Sequence, residues 1–242
     1  MSSRNYDEEY RDTENHKYAY GFDEVLRKFM IREFKPFFNG ESALELGCYE
    51  GDFTKYIFDN FTDVYVVDGS PELIERTKGR FSNKVTFQVS TFEELQLDQK
   101  FDAIFLIHTL EHLDNPIEVL LRCKDWLKPS GKLIVAVPNA FAPSRQIAVK
   151  MGIISNCTSV TLDEEKQGHR RTYSSDFLTR EIKDAGFKII KSGGVFFKPL
   201  ANFQMDSALK FGIINEDFLE GCYELGMQFP ELCASTYVIA SL

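Results

Sequence analysis

Residues 43–51 read Ala-Leu-Glu-Leu-Gly-Cys-Tyr-Glu-Gly (ALELGCYEG), a short apolar run interrupted by an acid, Glu45, and closed by Gly47 and Gly51. A run of this length with glycine at its end reads as a buried strand passing into a tight turn, with a helix starting near Asp52. Gly47 lets the turn bend, and Gly51 lets backbone and ligand approach, since neither carries a Cβ. A strand, turn and helix in this order present backbone N–H groups at the carboxyl end of the strand. Open α/β sheets bind their ligands there.

Working outward, the same rhythm repeats on the downstream side. SALELG is followed by DFTKYIFDNF, DVYVVD by PELIERTKGRF, then come KVTFQV, FDAIFLIH with PIEVLLRCKDWL, and KLIVAVP. Short apolar runs alternating with helical patterns predict parallel strands joined by helical crossovers, and the unbroken runs VYVVD and AIFLI belong mid-sheet, covered on both faces. The fold class is therefore α/β, a doubly wound, mostly parallel sheet. Upstream, Phe22, Val25, Leu26, Phe29, Met30 and Phe34 recur at helical spacing and predict an N-terminal helix ending near Pro36. After Pro138 the rhythm stops. Residues 139–174 read as an inserted lid or substrate wall, followed by a helix over about 175–185 and a strand in FKIIKSGGVFF. A second irregular insertion covers 196–232, and CASTYVIAS is the last strand. Residues 1–38 form an N-terminal segment with a helix that caps the ligand site, and 39–242 the main domain. There is no internal repeat.

Composition narrows the function. A formal charge of −9 and a pI near 5.1 in 242 residues argue against a surface that holds nucleic-acid phosphates, so small molecules are the expected partners, as substrates, with no nucleic acid and no membrane. The chain begins with polar, charged residues where a secretory signal would need an apolar stretch, and no run approaches the roughly 18 apolar residues of a membrane span. Five widely spaced cysteines without a CxxC pair suggest neither a disulfide framework nor a zinc site. A reducing, cytoplasmic location, a monomer or homodimer, and no metal dependence are the expectations.

Asp68 ends the strand after the Glu45 strand, where a carboxylate can accept hydrogen bonds from a ribose diol. The turn Gly47-Cys48-Tyr49-Glu50-Gly51 lacks the central glycine of GxGxxG, which pyrophosphate needs for close backbone approach, and so disfavours a dinucleotide. Glu45 suits a cationic ligand, such as a sulfonium bearing an ammonium group.

ALELGCYEGDFT, VYVVDGSPELIERTKGRF, FDAIFLIHTLEHLDNPIEVL and LKPSGKLIVAVPN, in that order, resemble the successive motifs of class I S-adenosylmethionine-dependent methyltransferases, especially the small-molecule branch. The likeness covers about residues 40–140, with a weaker echo in GHRRTYSSDFLTREIKDAGF. It implies a Rossmann-like, seven-stranded sheet, six strands parallel and the last antiparallel, and S-adenosylmethionine as cofactor. The cofactor residues it implies are Tyr18, Glu45, Gly47, Cys48, Gly51, Phe53, Asp68, Gly69, Ser70, Thr91, Phe92, Ile107 and His108. The chain departs from the family pattern at two points. Ser90-Thr91-Phe92-Glu93 stands where an acid usually meets the adenine, which makes Phe92 a stacking candidate, and Tyr49 replaces a middle glycine, its side chain expected to lie away from the cofactor.

Methyl transfer from a sulfonium is an in-line substitution in which alignment supplies much of the acceleration, with a general base added when an acceptor proton must leave. His108 and His112 flank Leu110-Glu111 after the fourth strand, at the cofactor end of the sheet, and His108 is the better candidate to reach donor or acceptor. Gly168-His169-Arg170-Arg171-Thr172-Tyr173 gathers an imidazole, two guanidiniums and a phenol. His108, His169 and Tyr173 are thus the catalytic candidates, and His112, Arg145, His169, Arg170, Arg171, Tyr173 and Lys198 the substrate-binding ones. Arg prefers planar recognition of carboxylate or phosphate. The leading expectation is accordingly an O- or N-methyltransferase of a small, polar, anionic acceptor such as a nucleotide sugar, a sugar or a phosphorylated amino alcohol. Phe196, Phe197, Phe203 and Phe211 motivate an alternative, a lipophilic quinone-type phenol. The departures at Tyr49 and Glu93 motivate a third, a non-catalytic cofactor-binding subunit.

Overall fold

The computed structural model describes residues 4–15, 21–81 and 84–242. Seven strands, β1 (Ser42–Leu46), β2 (Asp63–Asp68), β3 (Val85–Val89), β4 (Phe101–Ile107), β5 (Leu127–Pro138), β6 (Lys188–Phe197) and β7 (Cys233–Ser241), make one sheet in the order β3-β2-β1-β4-β5-β7-β6. β1 to β5 pair in parallel, and β7 runs antiparallel to both β5 and β6. Six strands therefore share one direction, as the resemblance implied. The chain runs outward from β1 through β2 to β3 and then crosses back to β4 on the other side of β1. That reversal opens a crevice at the carboxyl ends of β1 and β4.

Strand alternation sorts β1 between the two faces. Leu44 and Leu46 pack with Val67, Ile104, Leu106 and Val135 against α5 (Pro116–Trp126) and α8 (Ser175–Asp184). Ala43 packs on the opposite face with Val66, Phe105 and Ile134. Glu45 points to that second face as well, and its Oε2 accepts a 2.5 Å hydrogen bond from Thr54 at the start of α3 (Thr54–Phe58). α4 (Pro71–Lys78) links β2 to β3 and is capped by Ser70, whose Oγ accepts from Leu73 N at 3.1 Å.

The N-terminal helix expected from Phe22 to Phe34 is α2 (Gly21–Phe34), whose Phe22, Leu26, Phe29, Met30 and Phe34 are buried. It is preceded by α1 (Tyr6–Asn15), where the sequence suggested only a charged segment. The segments read as irregular contain helices, short ones in the first and longer ones through most of the second. α6 (Pro143–Lys150) and α7 (Leu162–Lys166) occupy the first, and α9 (Asn202–Lys210) and α10 (Glu216–Gln228) the second. α10 buries Leu219, Cys222, Tyr223 and Gly226, an i, i+3, i+4, i+7 stripe. The phenylalanines expected as an acceptor wall divide differently. Phe196 is fully buried edge-on to Phe22, whereas Phe203 and Phe211 are exposed on the far side of α9. The five cysteines are all free. Among the described residues no helix is long and apolar enough to cross a membrane.

Candidate active site

A cavity of about 400 Å³ opens at the crevice, within the size range of small-ligand pockets. Its floor is the β1–α3 turn, held in shape by backbone geometry. Gly47 N donates to Val67 O at 2.9 Å and Gly51 N to Cys48 O at 2.8 Å. Gly47 has φ +83°, and a Cβ there would lie 2.5 Å from Thr109 Oγ1, so the glycine lets the end of β4 close onto this turn. Gly51, also at positive φ, does not line the cavity. A Cβ there would strike Thr77 and Phe81, so this glycine serves the packing of α4 and does not open the backbone to a ligand as expected.

Tyr49 and His108 are both non-glycine residues in the left-handed region (φ +49° and +53°), and both line the cavity. The conformation costs about 1–2 kcal/mol for an L-residue. Tyr49 thus takes the backbone shape of the missing middle glycine, and its ring stands edge-on to that of Tyr10 at 5.8 Å, both residues lining the cavity. The His108 turn is held by its N–H on Ala136 O at 2.8 Å, and its Nε2 lies 2.9 Å from Ser235 Oγ on β7.

Of the expected cofactor residues, Glu45, Gly47, Cys48, Phe53, Asp68, Gly69, Ser70, Thr91, Phe92, Ile107 and His108 line this cavity, and Tyr18 lies outside the described residues. Asp68 accepts from Cys48 N at 3.0 Å and Ser70 N at 2.9 Å, which aims its carboxylate across the mouth of β1. Burial still raises its pKa against those two N–H bonds. Glu45 is 1% exposed, and its Oε1 has no hydrogen-bond partner. Burial pushes its carboxyl up to about 8, with the Thr54 bond opposing and the nearby Asp68 charge adding to the rise. A buried oxygen without a partner is costly unless something satisfies it. The ammonium group of S-adenosylmethionine is suited to do so, which makes the donor set of this crevice fit that cofactor.

The expected substrate and catalytic residues separate into two groups. His108, His112, His169 and Lys198 line the cavity. Burial drives the imidazoles down, His108 to about 3 and His169 to about 4, so the rings are neutral. Lys198, lowered to about 8 by burial, donates to Asn202, which donates in turn to Asp23. Arg145, Arg170, Arg171 and Tyr173 do not line this cavity. Arg145 is spent inside the insertion on Glu164 and the carbonyls of Cys157 and Ser159. Arg170 pairs with Glu9 and Asp114, and Arg171 donates to the carbonyls of Leu113 and Asp114. Tyr173 is fully buried and donates to Glu181 at 2.6 Å, which makes it a core residue and removes it from the catalytic candidates.

Several lining residues escaped the sequence reading. Glu93 brings an acid to the cavity beside Thr91 and Phe92, and Arg4, Tyr6, Glu9 and Tyr10 reach it from the N-terminal segment and α1. The ring of Tyr6 sits where a Cβ on Gly69 would be. Glu111, between His108 and His112 in the chain, is 2% exposed with neither carboxyl oxygen hydrogen-bonded. An acid next to apolar residues was the available signal, and the histidines drew the attention instead.

A protein-family description, "Methyltransferase domain", matches residues 16–192. The chain is 24% identical over 168 residues to the ubiquinone biosynthesis O-methyltransferase of Xanthomonas axonopodis pv. citri, a match covering 67% of this chain and 69% of that protein. Its fold is similar to a solved S-adenosylmethionine-dependent methyltransferase from Mesorhizobium loti (TM-score 0.64, 14% identity), over 92% of this chain and 100% of that one. It is similar as well to the N-methyltransferase NodS of Bradyrhizobium japonicum WM9, solved with S-adenosyl-L-homocysteine (TM-score 0.55, 12% identity), over 90% of this chain and 86% of NodS.

Proposed function

Because this chain belongs to the class I S-adenosylmethionine-dependent methyltransferase family, we propose that it methylates a hydroxyl oxygen of a small, uncharged acceptor seated beside His108, His112 and His169. The observation that carries this reading is the polarity of the cavity at the crevice. An unpaired carboxylate oxygen of Glu45 stands at the β1 side, and three neutral imidazoles stand on the β4 and insertion side.

The cofactor supplies an electrophilic methyl group on a sulfonium. Glu45 and Asp68 hold the two ends of a cationic nucleoside, and the Gly47 turn lets the ligand lie against backbone. As the new C–O bond forms, the acceptor hydroxyl must shed its proton, and the neutral imidazole of His108 has a lone pair to take it. Ser235 Oγ, 2.9 Å from His108 Nε2, orients that ring. An amine acceptor would need this assistance less.

An anionic acceptor was expected from Arg145, Arg170 and Arg171, and none of them faces the cavity. Eight carboxylates line it against the cations Arg4, Arg27 and Lys198. Each of those cations is engaged, Arg4 by Glu9, Arg27 by Asp52 and Lys198 by Asn202. An uncharged hydroxyl suits that balance, and the relative named for O-methylation in ubiquinone biosynthesis supports an oxygen acceptor. The test is calorimetry with S-adenosylmethionine, followed by mass detection of methylated products across neutral phenols and diols, amines and phosphorylated alcohols. Turnover confined to amines or to phosphorylated acceptors contradicts the reading, and cofactor binding with no turnover on any acceptor favours a non-catalytic subunit.

A further inference from the structure

Glu111, His112 and His169 bring three metal-ligating side chains together, with one donor atom from each lying within 4.8 Å of the others. Fifty-seven residues separate His112 from His169 in the chain, and backbone bonds join their segments. Arg170 N donates to Glu111 O at 2.8 Å, and His169 N donates to Glu164 O at 2.9 Å. Gly168, at φ +85°, turns the chain so that His169 meets the short 3-10 turn carrying Glu111 and His112. The two imidazoles stand edge to face with centroids 4.6 Å apart.

The polar atoms of this cluster lack partners. Glu111 is 2% exposed, and neither of its oxygens accepts a hydrogen bond. Among the described residues neither imidazole is hydrogen-bonded through its ring. Gln167 Oε1, buried beside them on the same cavity wall, is also without a partner. A buried carboxyl group with neither oxygen hydrogen-bonded is costly, and native proteins rarely leave such a group unsatisfied. The neighbouring guanidiniums bond elsewhere, Arg145 to Glu164, Arg170 to Glu9 and Asp114, and Arg171 to the carbonyls of Leu113 and Asp114. A divalent cation satisfies all three groups at once.

We propose that Glu111, His112 and His169 form a binding site for one divalent transition-metal ion whose remaining coordination positions face the cavity and take an acceptor oxygen. Two imidazole nitrogens and one carboxylate oxygen select zinc, manganese or iron(II) over magnesium or calcium, which prefer all-oxygen shells. Donors held about 2.1 Å from one ion lie about 3–3.5 Å apart, so a closure on the order of 1 Å seats it. The metal-binding half of the inference stands alone. The acceptor half rests on the methyltransferase reading above, and it names the acceptor class as a molecule with an ionisable hydroxyl, best of all two adjacent ones. Coordination there makes the hydroxyl more acidic, its proton leaves to His108 or water, and the resulting oxyanion takes the methyl group. The sulfonium's sulfur keeps the electron pair of the broken S–CH₃ bond and departs as a neutral thioether.

The full-length, tag-free chain is stripped with a chelator and titrated with cobalt(II) as the probe, without cofactor or acceptor. The expected result is stoichiometric binding with d–d absorption characteristic of nitrogen ligation. Glu111→Gln, His112→Gln and His169→Gln should each weaken binding by about 100-fold or more, a loss larger than removing a hydrogen-bond partner of a ligand gives. Unchanged circular dichroism and an unchanged midpoint in urea titration show that each variant is folded. Cobalt binding absent in the wild type, or equally tight in folded Glu111→Gln, overturns the proposal. The two readings fail separately. Metal binding without methyl transfer on any acceptor supports the site and sinks the acceptor assignment, whereas full turnover by a chelated protein that binds no cobalt sinks the site alone.

Discussion

Glu45 is the residue on which cofactor recognition turns. Its carboxyl is held protonated up to about pH 8 by burial, yet it must ionise to receive an ammonium group. S-adenosylmethionine affinity should therefore rise with pH toward 8, by up to about tenfold per unit, because binding releases the Glu45 proton below that value. Calorimetry at pH 6, 7 and 8 reads this slope, and Glu45→Gln should flatten it while weakening binding at pH 8 by about 10–100-fold, the worth of one charge-assisted hydrogen bond. For the unliganded protein the sign reverses. A carboxyl whose folded pKa lies above its unfolded value destabilises the fold as pH rises from the ordinary carboxylate range to 8, and the Gln variant should lose that dependence in denaturant titrations. Gly47 offers a second test. Gly47→Ala combines φ +83° with a Cβ 2.5 Å from Thr109 Oγ1 and should cost about 2–4 kcal/mol in chemical denaturation, with cofactor binding lost even in the fraction that folds.

At the scale of elements, α1 is tied over the cavity by polar side chains and few apolar ones. Asp7 accepts from Ser70 Oγ, Tyr10 donates to Glu50 and receives from Arg76, and Glu9 is shared by Arg4 and Arg170. Partly exposed pairs of this sort are worth about 0.2–1 kcal/mol each. Arg170→Ala should accordingly speed amide exchange in residues 6–15 by about two- to fivefold while leaving exchange in the sheet unchanged. It should disturb cofactor affinity more than acceptor KM, the reverse of what a substrate-binding arginine would do. The sequence made the GHRRTY segment look like an anion clamp because it shows composition without partners. Glu9 and Asp114, which occupy Arg170, lie 161 and 56 residues away in the chain. α9 and α10 went unread for a related reason. Phe203 of α9 and Phe211 just after it suggested a pocket wall together with Phe196 and Phe197, although the α10 stripe Leu219, Cys222, Tyr223 and Gly226 already had helical period.

Across the whole molecule, Glu33 of α2 joins the N-terminal helix to the far half of the sheet. It is 7% exposed and accepts from Tyr223 of α10, Tyr237 of β7 and Lys191 of β6. Burial alone would raise its pKa, and these three donors more than reverse that, so it falls below the ordinary carboxylate value. A depressed carboxyl stabilises the fold above its unfolded pKa, and that stability is lost as pH falls through the depressed value. Glu33→Gln should cost about 1–3 kcal/mol at pH 7 in urea titrations, and the difference from wild type should shrink on acidification.

The sequence by itself determined the sheet and its parallel core, because strand burial is written in local runs such as DVYVVD and FDAIFLI, while the antiparallel last strand came from the resemblance of its motifs to a family. It determined the crevice ends Glu45 and Asp68 for the same reason, since each closes its own strand. Only tertiary structure decided what those residues meet. It placed Gly51 against α4, Tyr173 in the core and Arg170 on Glu9, and it gathered Glu111, His112 and His169 around one point. Hydrogen bonding and desolvation depend on neighbours distant in the chain, whereas hydrophobic periodicity depends on neighbours within a few residues.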